Sequence, residues 1–447
     1  MGNEKEKKES FELSNEAVID EMPLEKRTSW LSPAVIYAGC EFCIPVIMVG
    51  SGLMSSYSIG ELLLLVVVGL VIFTWLGDSL TSYLGASTGR SSSVIARASF
   101  GTTQSRIIVA FGVFFIGLGW WSIQTAVAGN AICAMLGIDY TNQWGAWAIV
   151  TIICGIIFAI PSIIGYSSMA WTDYIAVPAG LLILIWTFIL AMKDVGIAGI
   201  MTWAPVRSIP WAQAVTMILG LNTCQWLMIA DYSRFCKPKL MDNILMPSLI
   251  IVVGFILIMM GGVLGITNSG GFDIVEIMVD LGFPVFGFLF MFLAQWTSQL
   301  VNNYSMGLSL CNMFNVKDDK GRMIMTIVGT VIALALALAG ILSQFMIVLS
   351  LMALIYLPIA AAMIVDYFIL RKKQWVEIPG WNMTATITII IGTIAGYYTT
   401  YVIPIGIPPV QSWILSAILY YALMYAKAKI KPDKFTPEIW MQSKKNN

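Results

Sequence analysis

The sequence predicts an all-helical protein that sits in lipid, and three observations carry that prediction. Of 447 residues, 58% are hydrophobic and only 11% are charged, where a soluble domain carries about a quarter charged residues. Apolar segments of about 20 residues, long enough to cross a bilayer as helices, follow one another with loops too short to fold by themselves. The basic residues are also sorted by side. With both termini in the cytoplasm, 23 of the 25 Lys and Arg fall on inner segments, as the positive-inside rule requires. Only Lys193 and Arg207 fall outside, and the outer loop after the seventh run is acidic instead, with Asp273, Glu276 and Asp280. Helix is the default for each span, because an unpaired backbone group in hydrocarbon costs several kcal/mol and no alternating barrel pattern is present.

Twelve spans result, and an odd number would spoil the charge sorting. Residues 1–30 mix Lys and Glu without an apolar stretch, so they read as a solvated cytoplasmic tail and not a signal peptide. The spans then lie near 31–56, 60–86, 106–136, 143–164, 170–192 and 210–233, followed by 241–267, 283–312, 324–343, 345–370, 381–402 and 405–426. Residues 427–447 form a second cytoplasmic tail whose six lysines are too spaced for a strong lipid-headgroup site. A single integral membrane domain, 31–426, lies between the tails.

Polar side chains are costly in hydrocarbon, so the places where they interrupt apolar runs are informative. The first span reads Gly39-Cys40-Glu41-Phe42-Cys43-Ile44-Pro45. A proline shortly after a glycine removes backbone hydrogen bonds and frees carbonyls that can ligate a cation, although a packed glycine with a proline kink gives the same pattern. Glu41, in mid-membrane, needs a partner or a proton. The third span carries Trp120 and Gln124 at i, i+4 spacing, which puts a flat indole and an amide on one face. That pair suits a flat heterocycle, since the ring can stack and the amide both donates and accepts. Trp121 reads as packing. The sixth span holds Leu221-Asn222-Thr223-Cys224-Gln225-Trp226, a second candidate break, and then Asp231 and Arg234, which capping and pairing explain. The eighth span is the most polar, running from Ala294 through Gln295, Thr297, Ser298, Gln299, Asn302 and Asn303 to Ser305. Adjacent hydroxyls at Thr297 and Ser298 suit a hard cation. Gln299 and Asn303 repeat the i, i+4 spacing and are expected to face a substrate, while interhelical hydrogen bonding accounts for part of the run.

Other classes lose support. The chain has no histidine, the commonest general base and zinc ligand. No nucleophile is paired with a base, no G-x-x-x-x-G-K loop is present, and no charged ring or filter repeat points to a channel. An enzyme is not expected, nor is any cofactor. The seven cysteines lie mostly in apolar runs and read as small buried residues. Cys40 and Cys43 have C-x-x-C spacing without a thioredoxin-like context, and Cys236 alone looks near a surface. With zero net charge and no basic stripe, no nucleic-acid partner is expected. Two interrupted helices, one opening each half, are the pattern of an inverted-repeat transporter with its site near the bilayer midplane.

These residues resemble the nucleobase:cation symporter family 1, which includes cytosine, purine, uracil, allantoin and hydantoin permeases. Thr88-Gly89-Arg90 through Ala96-Arg97-Ala98-Ser99-Phe100-Gly101 is similar to that family's cytoplasmic signature. Ala230-Asp231-Tyr232-Ser233-Arg234-Phe235 resembles the end of its sixth helix, Asp366-Tyr367 its D-Y pair, and Thr297-Ser298-Gln299 to Asn303 its polar eighth helix. The resemblance implies two inverted five-helix repeats, here 31–192 and 210–370, with two extra helices at 381–426 and with helices 1 and 6 interrupted. It implies a sodium site from carbonyls of Gly39, Phe42 and Ala294 with hydroxyls of Thr297 and Ser298. It also implies a substrate pocket from Trp120, Gln124, Leu221, Asn222, Gln299 and Asn303, with Cys43 at its edge. Asn222 stands where relatives often have an aromatic residue, Gln299 replaces an Asn, and Glu41 is unusual. The expected function is import of a nucleobase-like heterocycle across the cell membrane, coupled to sodium by alternating access. Proton coupling, or an amino acid or quaternary amine as substrate, is the alternative.

Overall fold

The computed structural model describes residues 17–267, 284–437 and 440. Among them every named element is helical, and the one extended contact is an isolated bridge between Thr28 and Cys236. The first apolar run is split into α1 (Leu31–Glu41) and α2 (Ile44–Leu53), bent by 52°. The cause is local. Cys43 is extended (φ −143°, ψ 154°) and Pro45 sits in the first turn of α2, where its missing N–H costs nothing. Next come α3 (Ile59–Thr88), α4 (Thr102–Met135), α5 (Trp144–Ile164) and α6 (Tyr166–Thr202). Ser58 and Glu61 form a capping box at the start of α3.

The sixth run becomes α7 (Trp211–Asn222), α8 (Gln225–Met228) and α9 (Ala230–Ser233). Its expected break is milder than that of the first run. Thr223 and Cys224 keep right-handed helical dihedrals, because no proline follows to block the ladder. The remaining helices are α10 (Leu240–Thr267), α11 (Pro284–Phe314), α12 (Asp319–Leu338), α13 (Phe345–Ile364), α14 (Met383–Tyr397) and α15 (Pro408–Ile430). Among the described residues six helices are long and apolar enough to cross a bilayer by themselves, and the bent pair α1–α2 makes a seventh candidate. The acidic loop at Asp273, Glu276 and Asp280 lies outside the described residues.

The helices are inside-out relative to a soluble protein. On α5, Ile149, Ile153, Ile156, Ile160 and Ile164 form an exposed stripe at helical spacing, while Thr151 and Ser162 are buried. An apolar outer face with hydroxyls turned inward is the pattern lipid selects. Where α2 crosses α10 the backbones touch. A Cβ added to Gly50 would come within 2.0 Å of the Ile258 carbonyl, and one on Gly261 within 2.1 Å of the Ile47 carbonyl. Small residues permit that approach in lipid, where no hydrophobic effect drives helices together.

The residues that carried the family resemblance tie helix ends together. Arg97 is buried; its Nε and Nη2 donate to Asn312 Oδ1 of α11 at 3.1 and 2.6 Å, and its Nη1 donates to Glu377 Oε1 at 3.0 Å. Asp231 accepts the Ser92 amide at 2.7 Å, and Arg234 donates to the Asp231 carbonyl and to Tyr304 Oη. Cys236 is fully buried, contrary to expectation. The segment before α1 pairs with it: Thr28 N donates to the Phe235 carbonyl and Lys237 N to the Thr28 carbonyl, roofing the thiol.

Candidate functional site

The α1–α2 break faces α4 and α11, and a cavity of about 20 Å³ lies between them, room for a water molecule rather than a ring. Trp120 and Gln124 of α4 line it together, as their spacing predicts. Glu41, Cys40 and Cys43 line it from the break, Leu221, Cys224 and Gln225 from α7–α8, and Ser298 and Asn302 from α11. A cavity at the break of one helix therefore meets the polar faces of three others.

Two of the expected residues are elsewhere. Gln299 donates to the Trp121 carbonyl at 3.0 Å and to Thr125 Oγ1 at 2.5 Å, and Asn303 donates to Ser162 Oγ at 2.9 Å and accepts from Thr330 Oγ1 at 2.9 Å. Both hold α11 against α4, α5 and α12. The rotation of α11 leaves the next polar pair on the same spacing, Ser298 and Asn302, for the cavity. Asn222 does not line the cavity but reaches its carboxylate. Turned with its nitrogen toward Glu41, its amide donates to Oε2 at 3.1 Å. Trp226 supplies no second ring, because its indole packs edge-on to Trp413 at 5.3 Å and covers Gly77.

Glu41 is only 2% exposed, where an unpaired carboxylate would be prohibitive. Gln225 Nε2 donates to its Oε1. Gly254 of α10 makes room for it, since a Cβ there would lie 2.9 Å from Glu41 Oε2. Other acceptors nearby are unused: Gln124 Oε1 and Gln225 Oε1 are buried without a hydrogen-bond partner among the described residues. A buried acceptor left unmatched costs about 1–3 kcal/mol, which a ligand's N–H would recover. The cavity is thus rich in acceptors beside a flat indole.

Three of the oxygens expected to hold a cation lie together where α11 meets the α1–α2 break. Thr297 Oγ1 is 3.0 Å from the Ala294 carbonyl and 3.5 Å from the Phe42 carbonyl. Ser298 Oγ donates to the Cys40 carbonyl at 2.8 Å and accepts from Gln124 Nε2 at 2.8 Å. The Gly39 carbonyl, also expected here, accepts the Phe42 amide at 3.2 Å. These hydroxyl and carbonyl oxygens, all uncharged, are the donor type a hard monovalent cation takes. Ser298 thus links the cavity's Gln124 amide to a backbone carbonyl of the α1–α2 break. The sequence reading missed Gln225 and Asn302 as cavity residues and the Cys40 carbonyl as a Ser298 partner. The first two stood in polar runs already noted, but only helix rotation selects them.

The sequence profile described as "Permease for cytosine/purines, uracil, thiamine, allantoin" matches residues 21–426. The cytosine permease of Escherichia coli strain K12 is 23% identical over 412 residues, covering 90% of this chain and 92% of its own. Among solved structures, that of Mhp1, a nucleobase-cation-symport-1 family transporter, closed with bromovinylhydantoin bound, superposes with a TM-score of 0.75 at 19% identity, over 94% of this chain and 96% of its own. A substrate-bound, sodium-coupled sialic acid symporter superposes with a TM-score of 0.68 at 14% identity, over 92% and 93%.

Proposed function

The chain belongs to the family of permeases for cytosine and purines, uracil, thiamine and allantoin, the nucleobase:cation symporters, and from that premise we propose that it imports a nucleobase or a related nitrogen heterocycle together with sodium. It is a multi-pass membrane protein and a transporter by kinship, not an enzyme. In this reading twelve spans form two inverted five-helix repeats, 31–192 and 210–370, with two further helices at 381–426. Both tails lie in the cytoplasm of a cell whose plasma membrane holds the protein, and the repeats rock about a midplane site.

One observation carries the reading: Ser298 joins the Gln124 amide of an acceptor-rich cavity lined by a flat indole to the α1–α2 break, and its neighbour Thr297 sets a hydroxyl against the Ala294 and Phe42 carbonyls. The ring would stack on Trp120, a contact worth about 1–3 kcal/mol per base. Its N–H and amino groups would meet Gln124 Oε1, Gln225 Oε1 and Glu41, whose present partners Gln225 and Asn222 would turn to it. Cys43 and Leu221 would shape the edge, and Asn302 would stand beside Ser298. Gln299 and Asn303 would hold the α11 wall in place. Sodium, when bound, supplies a positive charge beside the substrate, held by the carbonyls of Gly39, Phe42 and Ala294 and the hydroxyls of Thr297 and Ser298. The cavity is smaller than a base, so entry requires α1–α2 or α11 to move, as alternating access does. Glu41 favours a second reading, a substrate bearing positive charge such as an amine.

A thermal-shift screen of detergent-purified protein against nucleobases, amino acids and quaternary amines, with and without sodium, tests this. Stabilisation by one heterocycle that deepens with sodium is expected. A shift with amines or amino acids alone would move the substrate to the second reading, and a heterocycle shift indifferent to sodium but altered by pH would replace the coupling ion with a proton.

A further inference from the structure

Buried carboxylates are the most costly groups a membrane helix can carry, and each needs a counter-charge, a donor or its own proton. Glu41 has amide donors, and Asp231 has the Ser92 amide. Asp173 of α6 is different. Its side chain is fully buried, yet among the described residues neither carboxylate oxygen has a hydrogen-bond partner. Its position is specific: a Cβ built on Gly39 would lie 3.1 Å from Asp173 Oδ1 and 3.2 Å from Thr297 Cβ. The carboxylate therefore reaches a crevice between α1 and α11, against two residues of the proposed cation site. The missing side chain of Gly39 keeps that crevice open, and α6 packs against both helices there.

We propose that Asp173 is the charged ligand of this cation site, completing from α6 the oxygen cluster that α1 and α11 build with Phe42, Ala294 and Thr297. The inference rests on the sodium-coupled reading above and adds a third helix to it. Carbonyls and hydroxyls alone give a neutral cage. A single carboxylate added to it makes the loaded site neutral with a monovalent ion, and leaves a charge excess with a divalent one, which favours several carboxylates. A cation between Asp173 and Thr297 would also clamp α6 to α1 and α11, so that ion binding bears on how the helices around the cavity sit.

The test is a sodium titration of the purified, substrate-free protein, read by thermal unfolding with choline keeping ionic strength constant. Wild type is expected to gain stability with sodium and not with calcium. Asp173→Asn, which keeps the shape, and Asp173→Ser, which keeps an oxygen, should each need at least tenfold more sodium for half the effect. Asp78→Asn, at another fully buried carboxylate without hydrogen-bond partners, should leave the half-point unmoved. If Thr297→Ala shifts the half-point while both Asp173 variants leave it alone, the sodium site stands and Asp173 merely carries a proton, which overturns the proposal. An equal shift in Asp78→Asn overturns it too, as a generic effect of losing a buried carboxylate. A wild type indifferent to sodium removes the sodium reading and this ligand with it.

Discussion

Replacing Ser298 and Thr297 one at a time separates a shared ligand from a dedicated one. Ser298 Oγ makes two hydrogen bonds of 2.8 Å, one to the Cys40 carbonyl and one from Gln124 Nε2, whereas Thr297 Oγ1 meets only backbone carbonyls, at 3.0 and 3.5 Å. Thr297→Ala removes one proposed cation ligand. At about 1–1.5 kcal/mol for such a group, the sodium needed for half-maximal substrate binding should rise about tenfold. Substrate affinity at saturating sodium should stay within about twofold, since nothing in the cavity moves. Ser298→Ala removes a proposed ligand of the same kind but also leaves the Gln124 amide without its acceptor, a further cost of about 1–3 kcal/mol. That side chain will rotate, and affinity at saturating sodium should fall by about tenfold or more. The assay is equilibrium binding of the heterocycle selected by the screen, at sodium concentrations from micromolar to molar. If the two variants give the same pattern, with substrate affinity intact at high sodium in both, Ser298 does not link the sites and the coupling argument fails.

Three further outcomes follow from the packing. Gly254→Ala drives a methyl against Glu41 Oε2, so a loss of about 1–3 kcal/mol is expected, and the shorter carboxylate of Glu41→Asp should restore part of it; a double variant no more stable than the single one would detach Glu41 from α10. At the helix-end clamp, Asn312→Ala should cost about 2–3 kcal/mol because a buried, charge-assisted acceptor is lost. Glu377→Ala, on a side chain 45% exposed, should cost under about 1 kcal/mol, and denaturant melts of both variants would expose a reversed order. In the turn between α4 and α5, the Thr141 and Asn142 side chains donate to Asp139 and hold its carboxyl at about 2, below the ordinary aspartate value of about 3.9. A depressed value means the turn's hydrogen bonds persist on acidification through 3.9 and are lost only as pH falls to about 2. Amide exchange at Thr141 and Asn142 that accelerates near pH 4 would contradict this.

Much of the site was legible because its signals are local. A glycine and a proline six residues apart announced the α1–α2 break, and the i, i+4 placement of Trp120 and Gln124 put both on the cavity wall. What stayed hidden depends on rotation and on partners distant in sequence. On α11 two polar pairs share the same spacing, and only the contacts with Thr125, Ser162 and Thr330 decide which pair is consumed by packing. Asp173 carries no local sequence signal, standing three residues into the run placed near 170–192. The helix in fact begins at Tyr166, so Asp173 lies two turns inside, and nothing near it in the chain reveals that Gly39 and Thr297 will face it. Cys236 was misjudged for the same reason, since the segment that roofs it lies some two hundred residues upstream.

The double membership of Ser298 also constrains anyone who would re-engineer the protein. In most binding proteins the residues that choose a ligand can be varied without touching those that power the cycle. Here one hydroxyl orients the amide that would read the substrate and is also a proposed ligand of the ion. A library randomised at the cavity wall would therefore move along a diagonal, gaining new selectivity while losing drive. The independent directions are Trp120 and Leu221, which reach the cavity but take no part in the oxygen cluster.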